Sequence, residues 1–346
     1  MQYHQTEENP YAWDIEQPNL TTLEYDEFAL ATILLHINTY IAFIIAVIVN
    51  STLFCLIFKY TPSHMKQYKI MLMPSVVIDV IFTTVLALGL FKIKTTDGVV
   101  MIALEGVAAN FPLQVRICYV SLFGVLTLII TALLPTQTYY RYYCITRPNP
   151  MTIKQTMLLY AFVIAATVPV FYFSHESYST SGLSRQPYNY ATLWYKQVPA
   201  PNLLIGDEHS FYQNVNCKLT GTVMLTSYVM FAILAVKTVR VLKKECHNLS
   251  EKTKTLQRQL TYYLLLQAFL PCVVIIFPVI FIVVKLLLHQ DSDSAAILSC
   301  LLVTWIPVFN PVMTICVMTP YRNGIVSLLG MRKVAVLNNS FSTTPI

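Results

Sequence analysis

Long uncharged stretches dominate the hydrophobic and polar pattern of this chain of 346 residues. Seven stretches of roughly 18 or more residues carry at most one charge, and Asp79 is the one interruption. A helix rises about 1.5 Å per residue, so about 20 apolar residues cross a bilayer. Because lipid offers the backbone no hydrogen-bond partners, such spans are helices. The pattern predicts an all-α membrane protein, a seven-transmembrane helix bundle with spans near 30–58, 70–91, 113–139, 156–174, 219–241, 259–288 and 295–318.

The composition excludes an ordinary water-soluble domain. Apolar residues make up 55% of the chain and charged residues 12%, against about 25% charged in a typical soluble domain. The net charge of +6 does not indicate nucleic-acid binding, because the basic residues lie in the loops between spans. Residues 1–27 are acidic and lack an apolar h-region, so we expect no removable signal peptide and a first span that acts as the insertion signal.

The distribution of Lys and Arg predicts the orientation of the bundle. One set of loops carries 16 basic residues and the other carries 7, and the richer side is expected to be cytoplasmic. This places the N-terminal segment 1–27 outside, the bundle at 28–321, and a cytoplasmic tail at 322–346. A short interfacial helix is expected in Arg322–Lys333, followed by a polar, disordered end. The sequon at Asn19 would lie outside, either as a glycosylation site or as a chance tripeptide.

The outer side leaves two alternatives open. The second outer loop, about 175–216, is rich in Tyr and Pro, which suits either an ordered lid over a pocket or a mobile surface loop. Of eight cysteines, only Cys118 and Cys217 are placed to meet near the oxidising outer face. They form either a disulfide that pins this loop over the bundle or two free thiols.

Polar residues inside the spans are candidates for function, because an ionisable side chain is costly in the bilayer. Asp79 is the only acid at depth, and Asn50 and Asn310 are the residues expected to share a network with it. Pro311 lacks an N–H, frees a backbone carbonyl and loosens the helix beside Asn310. The cluster is either a polar hinge between two bundle packings or a static hydrogen-bonded core.

Aromatic and hydroxyl side chains in the outer halves of the spans are candidates to line a mostly apolar ligand pocket. Arg116, near the outer end of span 3, could attract an anionic ligand, pair with an acid or, as the preferred interpretation, extend to the outer headgroups. The other pocket candidates are Tyr119, Phe123, Thr226, Phe277, Phe281 and Trp305.

An enzymatic function is not expected. His36 is the only histidine inside a span, so the several converging ligands of a membrane metalloenzyme are absent. No Ser/His pair or paired-Asp arrangement occurs, and no cofactor is predicted. On the inner side, Arg141 ends span 3 and the segment with Lys252, Lys254 and Arg258 leads into span 6. These basic residues either anchor to anionic headgroups or form a docking face for a partner.

The arrangement of Asn50, Asp79, Arg141 and Asn310-Pro311 resembles the rhodopsin-type layout of G-protein-coupled receptors. Three local motifs are more specific. Tyr60–Lys69 resembles the first inner loop of nematode chemosensory serpentine receptors of the Str superfamily, and Ser250–Leu260 resembles their approach to span 6. Asn310-Pro311 followed by Pro320–Arg322 resembles the end of their span 7. The resemblance covers about residues 30–330 and is strongest to class delta, Srd.

Two departures limit what the rhodopsin-type layout implies. Tyr140 stands before Arg141 where that group has an acid, so the usual acid–arginine lock is not available. Thr314 follows Asn310-Pro311 where the rhodopsin type has Tyr. The resemblance implies a chemosensory receptor at the plasma membrane of sensory neurons or cilia. It would bind a small molecule or short peptide outside and activate a heterotrimeric G protein inside.

The resemblance favours the switch interpretation of the polar cluster and assigns the inner basic residues to the G protein. Arg141, the segment Lys252–Arg258 and Arg322 would border an inner cleft that opens when span 6 swings outward. The rival functions are a ligand-gated channel, a transporter, or a protein that assists the assembly of other receptors. A transporter is disfavoured because the two halves of the chain show no repeat.

Overall fold

The structure is a computed structural model that describes residues 29–61, 66–147, 151–185, 190, 194, 203–245, 274 and 277–328. These residues form nine α-helices and three β-strands. The helices are α1 (Ala29–Tyr60), α2 (Lys66–Gly89), α3 (Leu113–Thr146), α4 (Ile153–Thr180), α5 (Phe211–Glu245), α6 (Phe277–Leu287), α7 (Asp293–Val303), α8 (Ile306–Val317) and α9 (Thr319–Leu328). The strands are β1 (Phe91–Thr96), β2 (Val99–Leu104) and β3 (Leu203–Asp207).

The helical bundle follows the hydrophobic pattern closely. Five helices of the described part, α1 to α5, are long and apolar enough to cross a bilayer, and α7 with α8 makes a sixth if the bent pair is one span. Most of the predicted span 259–288 lies outside the described residues, and α6 is its outer end. We call the two ends of the bundle outer and inner as the charge distribution predicts.

The last predicted span, 295–318, is broken rather than continuous. Helices α7 and α8 meet at an angle of 42°, with Thr304 and Trp305 between them. Pro307 lies in the first turn of α8, where its missing N–H is tolerated, whereas in a continuous helix its ring would clash with the carbonyl of Val303. The break therefore lies upstream of Pro307, and α8 continues through Pro311.

Helix α1 supplies hydrogen-bond donors at both interruptions of the α7–α8 pair, the break at Thr304 and Trp305 and the position of Pro311. Asn38 donates from Nδ2 to the carbonyl of Leu301 (3.2 Å) and accepts from Trp305 Nε1 (2.9 Å). Three turns further along, Asn50 donates to the carbonyl of Pro307 (2.8 Å), the carbonyl that Pro311 leaves without a helical donor. Between them on the same face, Ala42 and Ala46 are buried and allow close approach of the helices.

A three-stranded antiparallel sheet, in the order β1-β2-β3, covers the outer end, and the all-α prediction did not include it. Asp97 (φ 46°) and Gly98 (φ 73°) form the turn between β1 and β2, with the two positive φ angles of a type I′ turn. The sequence signal was the Asp-Gly pair between two runs of β-branched residues. The prediction overlooked it because the seven apolar spans dominated the pattern.

The sheet is buried on both faces. One face packs on the bundle through Phe91, Ile93, Val100, Ile102, Leu104 and Leu204. The opposite face packs under two aromatic residues of the second outer loop, Tyr190 and Trp194, which are 0% and 2% exposed. In the described residues this loop is therefore an ordered cover, as the lid alternative predicts.

Asp207 at the end of β3 fixes the outer cover. Its carboxylate is 0% exposed and accepts from Arg185 Nε (2.6 Å), Tyr190 Oη (2.7 Å) and the His209 amide (2.9 Å). Burial raises the pKa of Asp207, but these hydrogen bonds outweigh it and hold the pKa below its usual range. Burial and the neighbouring Asp207 carboxylate raise the pKa of Tyr190. The buried carboxylate thus ties loop and strand together.

The Asp97-Gly98 turn can be tested by substitution of its glycine. Gly98→Ala should lower the free energy of unfolding by about 1–2 kcal/mol, because an L side chain is strained at this positive φ. Gly221→Ala is the matched control, since a Cβ there meets nothing within 4 Å on helix α5, and it should raise stability by about 1 kcal/mol. Thermal unfolding in nanodiscs measures both, and equal effects would contradict the turn assignment.

Candidate functional site

A cavity of about 180 Å³ lies in the outer half of the bundle, directly under the sheet. Phe91 and Ile93 of β1 form its roof, and Phe123, Gly124 and Thr127 of α3 form one wall. Helices α1, α2, α5, α6 and α7 complete the lining with residues that include Leu35, Leu86, Met224, Ile282, Ala296 and Ser299. Side chains from both ends of the described sequence therefore meet around one space.

The walls of this cavity are apolar, and no charged side chain lines it among the described residues. The lining hydroxyls of Thr39, Thr127 and Ser299 each donate to the backbone of their own helix, at 2.7–2.9 Å. The Thr304 hydroxyl likewise donates to Leu301 and accepts from Asn38. Four of the five hydroxyls that line the cavity are therefore already used as donors, Thr220 being the fifth, so the cavity suits a ligand that makes few hydrogen bonds.

Of the predicted pocket residues whose side chains the structure describes, only Phe123 lines the cavity. Its ring stacks on Phe91 at 4.2 Å between centroids. Tyr119, one turn away on α3, packs beside the cavity and donates from its hydroxyl to the carbonyl of Val85 at 2.6 Å. Tyr119 therefore does not line this cavity, and its polar end joins α3 to α2.

Three further predicted pocket residues also do not line this cavity. Thr226 is exposed on α5, and Phe281 is 42% exposed on α6. Trp305 lies at the α7–α8 break, where it bonds to Asn38. The spans are apolar on all sides, so their sequence does not distinguish the inward face from the lipid face. The side chain of Phe277 lies outside the described residues.

Arg116 is buried at the outer end of α3, with 4% of its surface exposed. The preferred interpretation, an extension to the outer headgroups, is therefore wrong. Arg116 does not line the cavity either, so it is not a contact for a ligand bound there.

Cys118 and Cys217 are both free thiols. Cys118 is exposed on α3, whereas Cys217 is partly buried on α5 and accepts from Gln213 Nε2 at 3.4 Å. The disulfide alternative is therefore wrong in this structure. The second outer loop is held instead by its pairing with β2 and by the Asp207 carboxylate.

The predicted polar cluster is partly assembled in the middle of the bundle. Asn310 Nδ2 donates to both carboxylate oxygens of Asp79, at 3.1 and 3.4 Å, which joins α8 to α2. A small cavity of about 20 Å³ beside them is also lined by Ser75 and Gln137, which bond to each other at 2.7 Å. That volume is enough for about one water. Asn50 bonds to the Pro307 carbonyl, and Gln137 is the member that the sequence did not indicate.

The inner end holds the predicted partner-facing residues in different environments. Arg141 is 6% exposed, so in this structure the surrounding helices cover it. Arg322 is exposed on α9, whose Tyr321 bonds to Thr61 at 3.1 Å. A helix is present at this position but begins earlier than predicted, at Thr319, and its place at the inner interface stays a prediction. Lys252, Lys254, Arg258 and the sequon at Asn19 lie outside the described residues.

Comparisons with known proteins agree with this architecture. A sequence model of the family described as "Serpentine type 7TM GPCR chemoreceptor Srd" matches residues 35–327. The crystal structure of squid rhodopsin is similar, with a TM-score of 0.60 and 14% identity over 93% of this chain and 92% of that chain. At this identity the likeness shows the fold alone. No curated protein sequence matches the chain.

The family match runs from the outer half of α1 to α9 and covers well over half of the chain. The fold match and the apolar helices agree with a multi-pass membrane protein. The chain therefore belongs to the Srd family of serpentine seven-transmembrane chemoreceptors, which are receptors of the G-protein-coupled type.

Proposed function

We propose that this chemoreceptor detects a small, uncharged, apolar molecule in the cavity under the sheet and activates a heterotrimeric G protein at the inner end. The apolar lining of the cavity carries the proposal. A dry apolar cavity of about 150 Å³ takes a benzene-sized molecule, and this one measures about 180 Å³. The ligand is then a molecule of about that size, held mainly by burial of its apolar surface.

A short peptide is the less favoured ligand. Strand β1 lies across the cavity, and the outer face of the sheet is covered at β2 and β3 by Tyr190 and Trp194. A peptide would carry several backbone N–H and C=O groups into apolar walls in which the hydroxyls of Thr39, Thr127 and Ser299 are already bonded to helix backbone. Each such group costs free energy when buried without a partner.

We infer that the signal is a shift between two bundle packings. The cavity is lined by helices α3, α5, α6 and α7, so a bound ligand changes how these helices pack. Because Arg141 is covered at the inner end, an inner partner gains access to it only when the surrounding helices separate. The Asp79–Asn310 contact lies between the two ends and would be the polar switch.

The rival functions receive less support. Membership of a chemoreceptor family does not favour a channel or a transporter. We infer that the chain acts by binding and conformational change rather than by catalysis. By the same family argument we propose the plasma membrane of sensory neurons or their cilia as its location. Imaging of a fluorescently tagged chain in its native tissue tests the location.

Filling the cavity should weaken detection. Gly124→Leu places a side chain into open space on the cavity wall and should reduce the response to a panel of small apolar volatiles by about tenfold or more, equivalent to 1.4 kcal/mol. Gly221→Leu is the matched control, because that glycine also meets nothing within 4 Å but faces outward on α5. A G-protein reporter at equal surface levels measures both. An equal response from the two variants would contradict the cavity as the binding site.

Removing the covered arginine should abolish signalling. Arg141→Ala should eliminate both basal and ligand-evoked reporter signal, because the inner cleft loses its central cation. Arg147→Ala, at the exposed end of the same helix, should retain it. An ion current that persists in Arg141→Ala without G protein would instead support the channel alternative.

Breaking the Asp79–Asn310 contact should change stability and basal signalling together. Asp79→Ala leaves the Asn310 amide without this acceptor, so the free energy of unfolding should fall by about 1–3 kcal/mol. Asp79→Asn retains one oxygen and should have a smaller effect. Thermal unfolding and basal reporter activity measure the two properties, and a loss of stability with no change in signalling would identify a static cluster.

A further inference from the structure

Phe91 is the aromatic part of the cavity roof. It is the first residue of β1, its surface is 4% exposed, and it lines the cavity beside Phe123 of α3. Because the walls are apolar, a ligand is selected mainly by whether its shape fits between these side chains. The contacts that hold the Phe91 ring therefore decide how much space a ligand has.

The Phe91 ring belongs to a stack of aromatic rings that joins three elements. Its centroid lies 4.2 Å from that of Phe123 and 5.8 Å from that of Tyr119, with angles of 23° and 13° between the ring planes. Phe123 also stacks on Phe82 of α2, at 5.9 Å and 4°. Stacked aromatic rings attract each other beyond the burial of their surface. We call Phe82, Phe91, Tyr119 and Phe123 the aromatic stack.

Helix α2 holds the aromatic stack at two points. Phe82 is part of α2 and is 0% exposed, so its ring is enclosed by its neighbours. Tyr119 donates from its hydroxyl to the carbonyl of Val85 on the same helix, at 2.6 Å, and its ring meets the Phe111 ring edge-on at 6.4 Å. Side chains packed in this way have little space to shift. The rings on which Phe91 lies are thus fixed to the bundle.

The end of α2 packs so closely against the Phe91 ring that only glycine fits there. A Cβ at Gly89, the last residue of α2, would lie 2.5 Å from Phe91 Cε2 and 2.9 Å from Cζ, well inside van der Waals contact. These atoms belong to a ring that the aromatic stack holds, so they do not simply give way. Gly89 is therefore a positioning residue for Phe91.

The turn that carries Phe91 from α2 to β1 is fixed as well. Leu90 has a left-handed backbone (φ 44°), and its amide donates to the α2 backbone at 3.0 Å, a helix end that usually has glycine. The Gly89 carbonyl accepts from the amides of Glu105 and Gly106, both at 3.2 Å. A non-glycine residue in this conformation is strained and persists only where its surroundings determine it. The backbone thus has little freedom to lift Phe91 away from the cavity.

Met224 of α5 represents the other kind of side chain in the lining. Methionine is unbranched and adjusts its shape to fill irregular gaps. A ligand that is slightly too long is therefore accommodated by a rotation of Met224. A ligand that needs the space of the Phe91 ring must instead break the aromatic stack, which forces many contacts to change together.

We propose that Phe91, positioned by Gly89 and the aromatic stack, sets the upper size limit of the ligand. The inference rests on the proposed function, because it concerns the same cavity. A dry apolar cavity of about 150 Å³ takes a benzene-sized molecule, and this one measures about 180 Å³. A single aromatic ring fits, whereas a second fused ring does not. The ligands detected are then single-ring aromatic molecules or aliphatic molecules of similar volume.

Binding of benzene and naphthalene to the full-length chain in lipid nanodiscs tests the proposal without a G protein. The rise in Tm with probe concentration measures the affinity for each, since a ligand that binds only the folded chain stabilises it. Both probes also dissolve in the bilayer, so each is compared with Gly124→Leu, in which the added side chain fills the cavity. The wild type should bind benzene, and naphthalene should bind more weakly by about tenfold or more.

Removal of the Phe91 ring should relax this selection. Phe91→Ala should bind naphthalene about tenfold or more tightly than the wild type does, because the space of the ring becomes available. Phe91→Leu keeps a larger apolar roof and should show a smaller gain in the same direction, and it replaces Phe91→Ala if that variant does not fold. Phe111→Ala is the matched control. It removes a ring that contacts Tyr119 but does not line the cavity, and it should leave the selection unchanged.

Gly89→Ala tests the positioning role. The added methyl group should displace the Phe91 ring and weaken benzene binding. In the Phe91→Ala background the same substitution should have no effect on either probe, because the ring atoms that it meets are gone. An equal loss of binding in both backgrounds would show that Gly89 supports the fold without positioning Phe91.

The outcomes separate this inference from the proposed function. If neither probe raises Tm in the wild type or in Phe91→Ala more than in Gly124→Leu, the cavity does not bind apolar ligands and both proposals fail. If benzene binds but naphthalene binds the wild type equally well, or remains excluded from Phe91→Ala, the size limit alone is overturned.

Discussion

The absence of hydrogen-bond partners in lipid is the constraint on which this structure depends. It makes every long apolar segment a helix, and it requires that each interruption of a helix be repaired from within the protein. The α7–α8 pair has two interruptions, and α1 supplies an asparagine to each, Asn38 at Leu301 and Asn50 at Pro307. The side chains on the buried face of α1 between these two asparagines are small, so the helices pack closely enough for the asparagines to reach the backbone carbonyls. A polar residue in the first span is thus part of the fold of the last.

Outside the lipid the chain is not restricted to helices, and there it forms the β-sheet that covers the cavity. The sheet has two buried faces, one on the bundle and the other under Tyr190 and Trp194. The stacking of Phe91 on Phe123 joins the roof to a cavity wall. The sheet thus packs on the bundle with one face and under the outer loop with the other, so it connects the outer surface to the cavity.

The free energies that a small ligand can supply favour a receptor in which the helices lining the cavity move between the two states. A ligand must prefer one state by about 5.5 kcal/mol to shift an equilibrium from 1:99 to 99:1. The best small ligands gain about 1.5 kcal/mol per heavy atom, so a benzene-sized molecule must make many of its contacts in one state only.

The sequence by itself determined the helices and the presence of a polar contact in mid-bundle, since length, lack of charge and the cost of a buried acid are local properties. It also determined that Pro311 frees a carbonyl, but not that Asn50 binds it. It did not determine the cavity, because spans that are apolar on every side do not mark their inward face. Phe123 was predicted and found there, whereas Thr226 and Phe281 face outward. The sheet, the free thiols of Cys118 and Cys217, and the place of Phe91 on the Phe123 ring were decided by tertiary structure, because each depends on segments that are distant in sequence and meet only after the bundle has packed.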